Sequence, residues 1–568
     1  MNQFQNVKTS IINKHYLFID CHFLIKTVIL LKRTASVGAM KFFFLALTIF
    51  LPVLPALALD GQINTHDPTT ILLCNGKYYT YGTGSATMVS DDGWTWRRGA
   101  SVPGGGGMGP DMIRVGDRYY MYVASNIGQQ PRSQIVMKST KSLDPCSPDY
   151  GWEQGGIINT TDGVEFCNGI DPGLFLDPTT GRLWLTFGSY FGYIRVVELD
   201  TKTGKRIDNK FTNIAINCEA SIIIYHEGYY YLLAAHGSCC RGTDSGYNIR
   251  VGRSKSITGP YIDHTGTDMI QGGGKLVIGS GGRYVGAGHF GLFDEGDDVQ
   301  KFSFHWEADM DRGNASVLDV RPLLWKDGWP VGGDNFKTGT YEIESVRTGT
   351  AIELAVEGVA VGGGRGGGAA PTRRGAAGAA RGGEQAAPGA GAFGGAAPGR
   401  RGDAPDSNAM RAGRGTGGGG RGMFGGGGRG GVIPDQNAAQ VSANWPAGNV
   451  DVRMSNYMCQ AQQKWTVSPV ANAGGYLGSP YFKITIAGTD RTLAATEDGE
   501  LVALSAFTGG PEQLWRIEQL TDGTWRVMPK SVPNSRESLA LSAIGSSFAT
   551  LEKFNPNSDK QRWLFKTP

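Results

Sequence analysis

A short pattern of turn residues followed by aromatic and β-branched residues recurs along the first 330 residues of the chain. Between residues 70 and 330 there is almost no helical periodicity, and polar turn residues bound each apolar run, which is typical of β-strands. The copies begin near residues 76, 117, 181, 228 and 298. Five units of about 50 residues predict an all-β domain over residues 60–335, a propeller with five four-stranded blades. A β-sandwich with coincidental hairpins is the alternative.

A second repeat lies in the C-terminal part of the chain. Gln-x-Trp triplets occur at Gln463–Trp465, Gln513–Trp515 and Gln561–Trp563, which are 50 and 48 residues apart. They resemble the ricin-type β-trefoil, in which the Gln and Trp pack into the core of each lobe. Because each triplet ends a lobe, the first lobe begins well before Gln463, and we predict a β-trefoil over residues 339–568.

Residues 361–432 interrupt this second domain with a stretch of mostly Gly, Ala, Arg and Pro. It holds 29 of the 87 glycines of the chain. Such a composition cannot bury enough apolar area to offset its ordering entropy. We therefore predict a disordered, basic loop insertion within the first lobe, because the cost of closing a loop grows slowly with its length. A linker between two domains is the alternative.

The net charge of +3 is unevenly distributed. Residues 1–58 carry +5 and residues 361–432 carry +7, which leaves −9 for the rest of the chain. An acidic body argues against a nucleic acid as partner. Gly-Arg repeats also occur in RNA-binding segments, but in an exported protein a linker or a weak polyanion contact is the preferred interpretation.

Residues 1–58 have the features of a secretory signal. Met40-Lys41 is followed by the apolar run 42–51 and then by the small-x-small sequence Ala56-Leu57-Ala58. The run is short for a membrane span of ~20 residues. We therefore expect a true start at Met40, cleavage near Ala58, a mature protein without a membrane span, and a secreted or periplasmic location. A membrane anchor is the alternative.

The spacing of the cysteines argues against a metal site of the zinc-finger type. Seven of them follow residue 58, and no Cys-x-x-Cys pair occurs. An exported protein can oxidise its cysteines, and the odd number leaves at least one free thiol. Cys239 and Cys240 are adjacent in sequence, and both a vicinal disulfide and two buried thiols remain open.

Carboxylates recur at the predicted starts of the blades. They lie in His66–Thr69, Gly109–Asp111, Gly169–Gly173 and Asn217–Ala220. The innermost strand of each blade lines the axis of a propeller, so acids at equivalent positions converge on one central pocket. Close carboxylates separate their pKa values, one remaining ionised and another protonated, which is what glycoside hydrolysis requires. For each motif alone an ordinary turn is the preferred interpretation, but the phase of all four with the blades favours the pocket.

Residues ~60–335 resemble glycoside hydrolase family 43, the five-bladed propeller enzymes that act on arabinose and xylose polymers. The strongest likeness, to the endo-1,5-α-L-arabinanases, is carried by Cys239–Gly242, Asp244–Ser254 and Ser256–Tyr261. The resemblance implies three catalytic roles. They are Asp67 as general base, Glu219 as general acid, and Asp171 as the residue that raises the pKa of the acid and orients it.

The same resemblance implies a substrate site and a central ion. The substrate-binding candidates are Asp111, Asn168, Ser189, Trp94 and Phe191. His289 resembles a blade-five histidine that ligates or neighbours a central calcium or other ion in many arabinanases, and a satisfied core histidine is the alternative. No organic cofactor is expected. This chain has Met108-Gly109 where a Trp-Ala is common in the family, which removes one possible stacking face for a pentose.

We therefore expect a secreted, inverting hydrolase that cleaves α-1,5-L-arabinan or a related pentose polysaccharide and carries a sugar-binding trefoil. Inversion would place the base and the acid roughly 6.5–9.5 Å apart. An exo-acting α-L-arabinofuranosidase or a β-xylosidase on the same fold is the alternative. A non-catalytic carbohydrate-binding protein is a third possibility, which the intact Asp67, Asp171 and Glu219 disfavour.

Overall fold

A computed structural model describes residues 59–356 and 442–568, apart from residues 106, 130, 131 and 162–166. The signal-like segment 1–58 and the stretch 361–432 therefore lie outside the described residues. In the described part the helices are single turns of 3-10 helix, and none is long and apolar enough to cross a membrane. These turns are Thr83–Ser85, Gly242–Asp244, Met269–Gln271, Met310–Arg312, Ser442–Asn444, Ala461–Gln463, Pro511–Gln513 and Asp559–Gln561.

Five antiparallel four-stranded sheets confirm the five-bladed propeller. Blade one also gains a short strand, β1, which pairs parallel to β5. The strands are β1 Asp60–Gly61, β2 Leu72–Cys74, β3 Lys77–Gly82, β4 Ala86–Ser90 and β5 Thr95–Arg98; β6 Met108–Val115, β7 Arg118–Gln129, β8 Arg132–Thr140 and β9 Glu153–Thr161; β10 Gly173–Leu176, β11 Leu183–Phe187, β12 Tyr193–Leu199 and β13 Thr212–Ile216; β14 Glu219–His226, β15 Tyr229–His236, β16 Asn248–Ser254 and β17 Lys275–Ile278; and β18 Tyr284–Gly296, β19 Val299–Asp309, β20 Ala315–Lys326 and β21 Trp329–Gly332.

The recurrent sequence pattern corresponds to the second strand of every blade, namely β3, β7, β11, β15 and β19. The first strands, β2, β6, β10, β14 and β18, contact one another from each blade to the next. They therefore line the axis, and the acids at or just before them lie around one centre.

The propeller closes where the segment before blade one meets blade five. Asn64 forms a bridge with Val317 of β20, and the Leu318 N–H donates to the Ile63 carbonyl at 2.8 Å. Large apolar side chains such as Phe302 and Phe304 are fully buried between the sheets. Closure and burial together hold the first strands, and the acids they carry, in fixed positions.

The C-terminal strands form three four-stranded lobes. Six strands close a barrel in the order β22-β25-β28-β31-β32-β35, and three hairpins, β23–β24, β29–β30 and β33–β34, cover it. This is the arrangement of a β-trefoil. The strands are β22 Gly339–Ser345, β23 Ala351–Leu354, β24 Val450–Ser455 and β25 Trp465–Pro469; the small hairpin β26 Gly475–Tyr476 and β27 Ser479–Pro480; β28 Phe482–Ile486, β29 Thr492–Ala495, β30 Leu501–Leu504 and β31 Trp515–Gln519; and β32 Trp525–Pro529, β33 Leu539–Ile544, β34 Phe548–Lys553 and β35 Trp563–Lys566.

The three Gln-x-Trp triplets occupy equivalent positions in the lobes. Each tryptophan is fully buried and donates its indole N–H, at 2.9–3.0 Å, to a carbonyl in the first strand of its lobe's hairpin. The three pairs are Trp465 with Ile352, Trp515 with Leu493, and Trp563 with Leu541. The triplets therefore stabilise the core of the trefoil.

The first lobe is continuous in space although its strands are far apart in sequence. Leu354 of β23 pairs with Val452 of β24, and the Ala355 N–H donates to the Asp451 carbonyl at 2.8 Å. The chain between these strands, residues 357–441, lies outside the described residues. The Gly/Arg-rich stretch thus leaves and re-enters the fold at two neighbouring strands of lobe one.

The propeller and the trefoil meet across a buried charged cluster. The Nζ atom of Lys301, on β19, lies 2.7 Å from Glu518 Oε1 of β31 and 2.9 Å from Glu295 Oε1. Arg516 also pairs with Glu295, and Arg526 Nη2 lies 2.7 Å from Glu518 Oε2. Burial would raise the pKa of Glu518, but these three cations hold it well below its usual range. The cluster therefore joins the two domains through buried ion pairs, in which each charge neutralises its partners.

Candidate active site

Asp67 lies in the loop before β2, with its carboxylate held by groups from three parts of the chain. Its Oδ2 atom accepts a hydrogen bond from Thr83 Oγ1 at 2.6 Å and lies 2.9 Å from His66 Nδ1. Its Oδ1 atom lies 3.5 Å from His289 Nδ1. Burial alone would raise the pKa of Asp67, but the hydrogen bonds from His289 and His66 outweigh it and hold the pKa well below its usual value. Asp67 is therefore an ionised carboxylate.

His66 is charged because it lies between two carboxylates. Its Nε2 atom is 3.2 Å from Glu307 Oε1, which also accepts the Cys240 backbone N–H at 3.0 Å. Burial would lower the pKa of His66, but the bonds to Asp67 and Glu307 raise it to about 10. His305 accepts the Asp67 N–H on Nδ1 at 3.1 Å, and burial together with the charge of His66 lowers its pKa. The charged His66 ring thus holds the carboxylate of Asp67, and the neutral His305 ring holds its backbone N–H.

Glu219 begins β14 in a partly buried position close to Tyr247 and Asp67. Burial raises its pKa to about 6, and the negative charge of Asp67 acts in the same direction. Tyr247 donates its hydroxyl to Glu219 Oε1 at 2.8 Å, which opposes the rise. A Cβ atom on Gly288 would lie 2.1 Å from the Tyr247 ring, so this glycine leaves the space that the tyrosine needs. Below about pH 6, Glu219 is a carboxylic acid that can donate a proton.

Asp171 lies just before β10, beneath the acid. It is buried, and its Oδ2 atom accepts the backbone N–H of Ala220, the residue after Glu219, at 3.2 Å. Burial and the charges of Glu219 and Asp67 raise its pKa well above its usual value. A Cβ atom on Gly109 would lie only 2.0 Å from Asp171 Oδ1. Asp171 therefore holds the backbone next to Glu219. Its own carboxylate occupies space that is free only because residue 109 is a glycine.

Three residues of the site have backbone conformations that L-amino acids seldom adopt. Asp67, Asp171 and His289 have φ values of 51°, 52° and 64°. Such residues persist where the surrounding structure over-determines them, and they concentrate at functional sites. The backbone of the propeller thus stores strain at the residues that surround the axis.

Three of the predicted substrate-binding residues are buried. Asp111 accepts the Thr70 N–H at 3.1 Å and the Leu174 N–H at 2.8 Å, so its two oxygens join blades one and three. Asn168 and Ser189 are 1% and 2% exposed, and Asn168 Nδ2 lies 3.3 Å from Ser189 Oγ. In the described structure these side chains support the walls around the carboxylates.

The two predicted aromatic contacts lie in different places. Phe191 is 56% exposed. It follows Tyr190, whose pKa is raised by burial and by the negative charge of Glu219. Trp94 lies at the junction of the two domains, because a Cβ atom on Gly475 of the trefoil would be only 2.2 Å from Trp94 Cβ. The structure places Phe191 on the exposed surface next to Tyr190, and it places Trp94 in contact with the trefoil rather than among the residues around the carboxylates.

The surroundings of His289 do not fit a calcium ion. His289 is buried, and its Nε2 donates to the Pro110 carbonyl at 3.2 Å. Among the described residues, the nearby group of potential ligands consists of His66, Asp67 and His305 and does not include His289, whereas calcium prefers six to eight oxygens. A second cluster includes Cys239 and Cys240, which are joined in a disulfide. We therefore derive no catalytic step through a calcium ion.

Four residues that govern the ionisation of the site are absent from the site residues predicted from sequence. His66 and Tyr247 lie inside the motifs that carry the family resemblance, but no role was assigned to them. His305 and Glu307 are two residues apart on β19, so their side chains point to the same face of the strand. A histidine and a glutamate two residues apart on a predicted strand are the signal that could have identified them.

Comparisons with known proteins agree with this geometry. The sequence profile of the glycosyl hydrolases family 43 matches residues 79–330. An extracellular exo-α-(1→5)-L-arabinofuranosidase of Cellvibrio japonicus is 32% identical over 305 residues, covering 47% of this chain and 86% of the relative. An extracellular endo-α-(1→5)-L-arabinanase of Bacillus subtilis is 30% identical, with 47% and 86% covered.

Solved structures include an exo-1,5-α-L-arabinanase from a bovine ruminal metagenomic library. It is 35% identical, with a TM-score of 0.44, and the alignment covers 48% of this chain and 97% of that chain. Asp171 and Glu219 lie within the residues that the profile matches, and Asp67 lies 12 residues before the match begins at residue 79. On the evidence of the aligned relatives, the chain belongs to the glycosyl hydrolases of family 43 and is a glycoside hydrolase.

Proposed function

We propose that this protein hydrolyses α-1,5-linked L-arabinan with inversion of configuration. One observation carries the proposal: the site holds two carboxyl groups whose pKa values are moved in opposite directions. The pKa of Asp67 is lowered by its histidine partners, and that of Glu219 is raised by burial to about 6. A base and an acid at the same pH are what inverting hydrolysis needs.

In the proposed mechanism, Asp67 removes a proton from the water that attacks the anomeric carbon. His66 and His289 keep the Asp67 carboxylate ionised until that moment. Glu219 donates its proton to the leaving glycosidic oxygen, so a neutral alcohol departs. Tyr247 then stabilises the Glu219 carboxylate that remains. Asp171 orients the acid through the Ala220 N–H, and the pKa of Glu219 is raised by burial and by the negative charge of Asp67.

The substrate is proposed from the names of the relatives. Two of them, from Cellvibrio japonicus and Bacillus subtilis, are named for α-(1→5)-linked L-arabinose polymers, one as an exo-enzyme and one as an endo-enzyme. We favour endo action, because the longest sequence motif of blade four is of the endo-arabinanase type. Exo action is the second candidate, supported by the exo-acting relative, and Phe191 is the proposed stacking surface for a pentose in either case.

A product profile tests this proposal. Linear arabinan, branched arabinan and xylan are each digested, and the anomer formed is followed by proton NMR. We expect arabino-oligosaccharides of mixed length from linear arabinan, with inverted configuration at first. Release of arabinose alone would establish exo action, and products from xylan alone would refute the arabinan assignment.

The Glu219→Gln variant tests the acid. It should lower turnover about 10²- to 10⁴-fold while leaving the melting temperature close to that of the wild type. Near-normal turnover would remove Glu219 from this role.

We further propose that the mature protein is exported and that its trefoil binds glycan. The signal-like segment 1–58 and the relatives named extracellular support export. Calorimetric titration of Glu219→Gln with an arabino-oligosaccharide tests the trefoil, because binding there and at the axis gives a stoichiometry above one. A stoichiometry of one, or no shortening of the exported chain near Ala58, would contradict the respective proposal.

A further inference from the structure

A cavity of about 620 Å³ opens on blade four, at a distance from the catalytic carboxylates. We call it the blade-four cavity. The lining residues on which the argument rests are Tyr229, Arg253, Lys255, Asp263, His264 and Trp329. Its volume lies within the range of pockets that hold drug-sized ligands, and it is larger than a single inorganic anion requires.

The blade-four cavity lies at the opposite end of the blade from the active site. Glu219 begins β14 and pairs with Ala235, whereas His226 ends β14 and pairs with Tyr229 in the cavity wall. Seven residue steps along a strand span roughly 23 Å. A ligand in the cavity is therefore separate from a ligand on the catalytic carboxylates.

Two cations in the cavity are held in place by aromatic rings. Lys255 Nζ lies 3.3 Å from the centre of the Tyr229 ring. The Arg253 guanidinium lies 4.7 Å from the Tyr229 ring and 4.5 Å from the Trp329 ring. Contacts of this kind attract cations to ring faces. They fix the direction of the two side chains, and they also cover ring surface on which a neutral sugar would stack.

The two cations retain hydrogen-bond donors for a ligand. Arg253 Nη1 donates to the Gly328 carbonyl and Lys255 Nζ to the Gly228 carbonyl, each at 3.0 Å. An arginine carries five N–H donors and a lysine three. Within the described residues, neither cation has a carboxylate within 4.0 Å.

The one acid in the wall, Asp263, is occupied by its own loop. Its Oδ1 atom accepts the backbone N–H groups of Thr265 and Thr267 at 2.8 and 3.0 Å, and its Oδ2 atom accepts that of Gly274 at 2.9 Å. The carboxylate therefore organises the loop and does not neutralise the cations that face the cavity.

We propose that the blade-four cavity binds a uronate-bearing oligosaccharide through Arg253 and Lys255. Preoriented cations without acidic partners select a carboxylate, and the covered ring faces disfavour a neutral glycan. The volume fits several sugar rings rather than an isolated anion, and the protein belongs to a family of polysaccharide hydrolases. The site is independent of the proposed arabinan activity and would attach the enzyme to an acidic polysaccharide while the axis acts on another chain.

The test is calorimetric titration of the full chain with trigalacturonic acid, arabinotriose and inorganic phosphate. We expect trigalacturonic acid to bind in the presence of saturating arabinotriose. The double variant Arg253→Gln/Lys255→Gln should bind it at least about tenfold more weakly, because hydrogen bonds to charged groups are lost. Its turnover of soluble arabinan and its melting temperature should match those of the wild type.

The matched control is Lys202→Gln/Lys205→Gln, which removes the same charge from the exposed turn after β12. All three proteins keep the arginine-rich residues 361–432, so a difference between them cannot arise there. Equal affinity in the wild type and both variants would overturn the proposal. Phosphate binding as tightly as trigalacturonic acid, or no binding of trigalacturonic acid to the wild type, would overturn it as well.

Discussion

At the scale of single residues, the chemistry of the site depends on how unlike the surroundings of two similar carboxyl groups are. Asp67 is surrounded by imidazoles, one of which is itself charged by Glu307. Glu219 is largely buried, accepts one hydroxyl hydrogen bond from Tyr247 and feels the negative charge of Asp67. Their different surroundings therefore make Asp67 the base and Glu219 the acid. The intrinsic pKa values of aspartate and glutamate side chains differ too little to do so.

Tyr247→Phe should move the alkaline limb of the pH profile. Tyr247 stabilises the ionised form of Glu219, so its loss raises the pKa of Glu219 above about 6. The acid then stays protonated to higher pH, and the fall in kcat/KM should shift upward by about one pH unit. The measurement is kcat/KM on linear arabinan between pH 3 and 9.

Tyr190→Phe is the matched control for this shift. Its hydroxyl donates to the Ala235 carbonyl at 3.3 Å and not to a carboxylate, so the limb should remain in place. A limb that moves down in Tyr247→Phe, or equally in both variants, would contradict the role of Tyr247.

At the scale of the elements, five first strands deliver groups from distant parts of the sequence to one axis. The precision of that delivery rests on glycines where the backbone passes close to a functional side chain. Gly109 in β6 lies against Asp171, and Gly288 in β18 lies against Tyr247. A strand therefore supports catalysis in two ways: through its functional side chains, and through glycines that leave room for functional side chains of other strands.

Gly109→Ala should displace Asp171 and with it the acid. The added Cβ would lie 2.0 Å from Asp171 Oδ1, and a shift of about 1 Å at a catalytic group costs about 10²-fold in rate. Gly105→Ala is the control, because Gly105 also has a positive φ but has nothing within 4 Å of the added atom. Activity assays and thermal melts of both variants would refute this account if the two lost activity equally.

The sequence predicted the elements better than it predicted the support of the site. Turn signals and aromatic runs identified the second strand of every blade, because these cues are local. The acids followed from their phase with the blades. Glu307 contacts His66 from 241 residues away, and no local pattern encodes such a pairing. The contact of Trp94 with Gly475 could not be predicted for a related reason, because Gly475 belongs to the other domain.

At the scale of the whole molecule, the trefoil is fixed to the propeller and is not a loosely tethered module. Lys301 of the propeller is buried against Glu518 of the trefoil. Backbone bonds cross the same boundary, for example from the Trp325 N–H to the Thr521 carbonyl at 2.8 Å. A glycan bound on the trefoil would therefore keep a constant direction relative to the catalytic axis.

Glu518→Gln should destabilise the whole protein. It leaves Lys301, Arg516 and Arg526 without the carboxylate that all three share, and breaking a buried ion pair costs about 3–5 kcal/mol of the free energy of unfolding. Glu500→Gln, an exposed position in the same domain, should be neutral within about 0.5 kcal/mol. Chemical denaturation measures both, and equal stability of the two variants would show that the cluster does not join the domains.

Because β23 pairs with β24, lobe one is also a suitable place for replacing or inserting a segment of chain. Chain enters and leaves the fold there at neighbouring strands, so any segment whose ends lie close together can be accommodated without moving the barrel. On the sequence-based prediction that the Gly/Arg-rich stretch is a disordered loop, exchange of residues 357–441 for a four-residue turn should raise the free energy of unfolding by about 2–3 kcal/mol, because a shorter loop loses less entropy on closure. A folded reporter with adjacent termini, inserted at the same place, should leave hydrolysis at the distant axis intact.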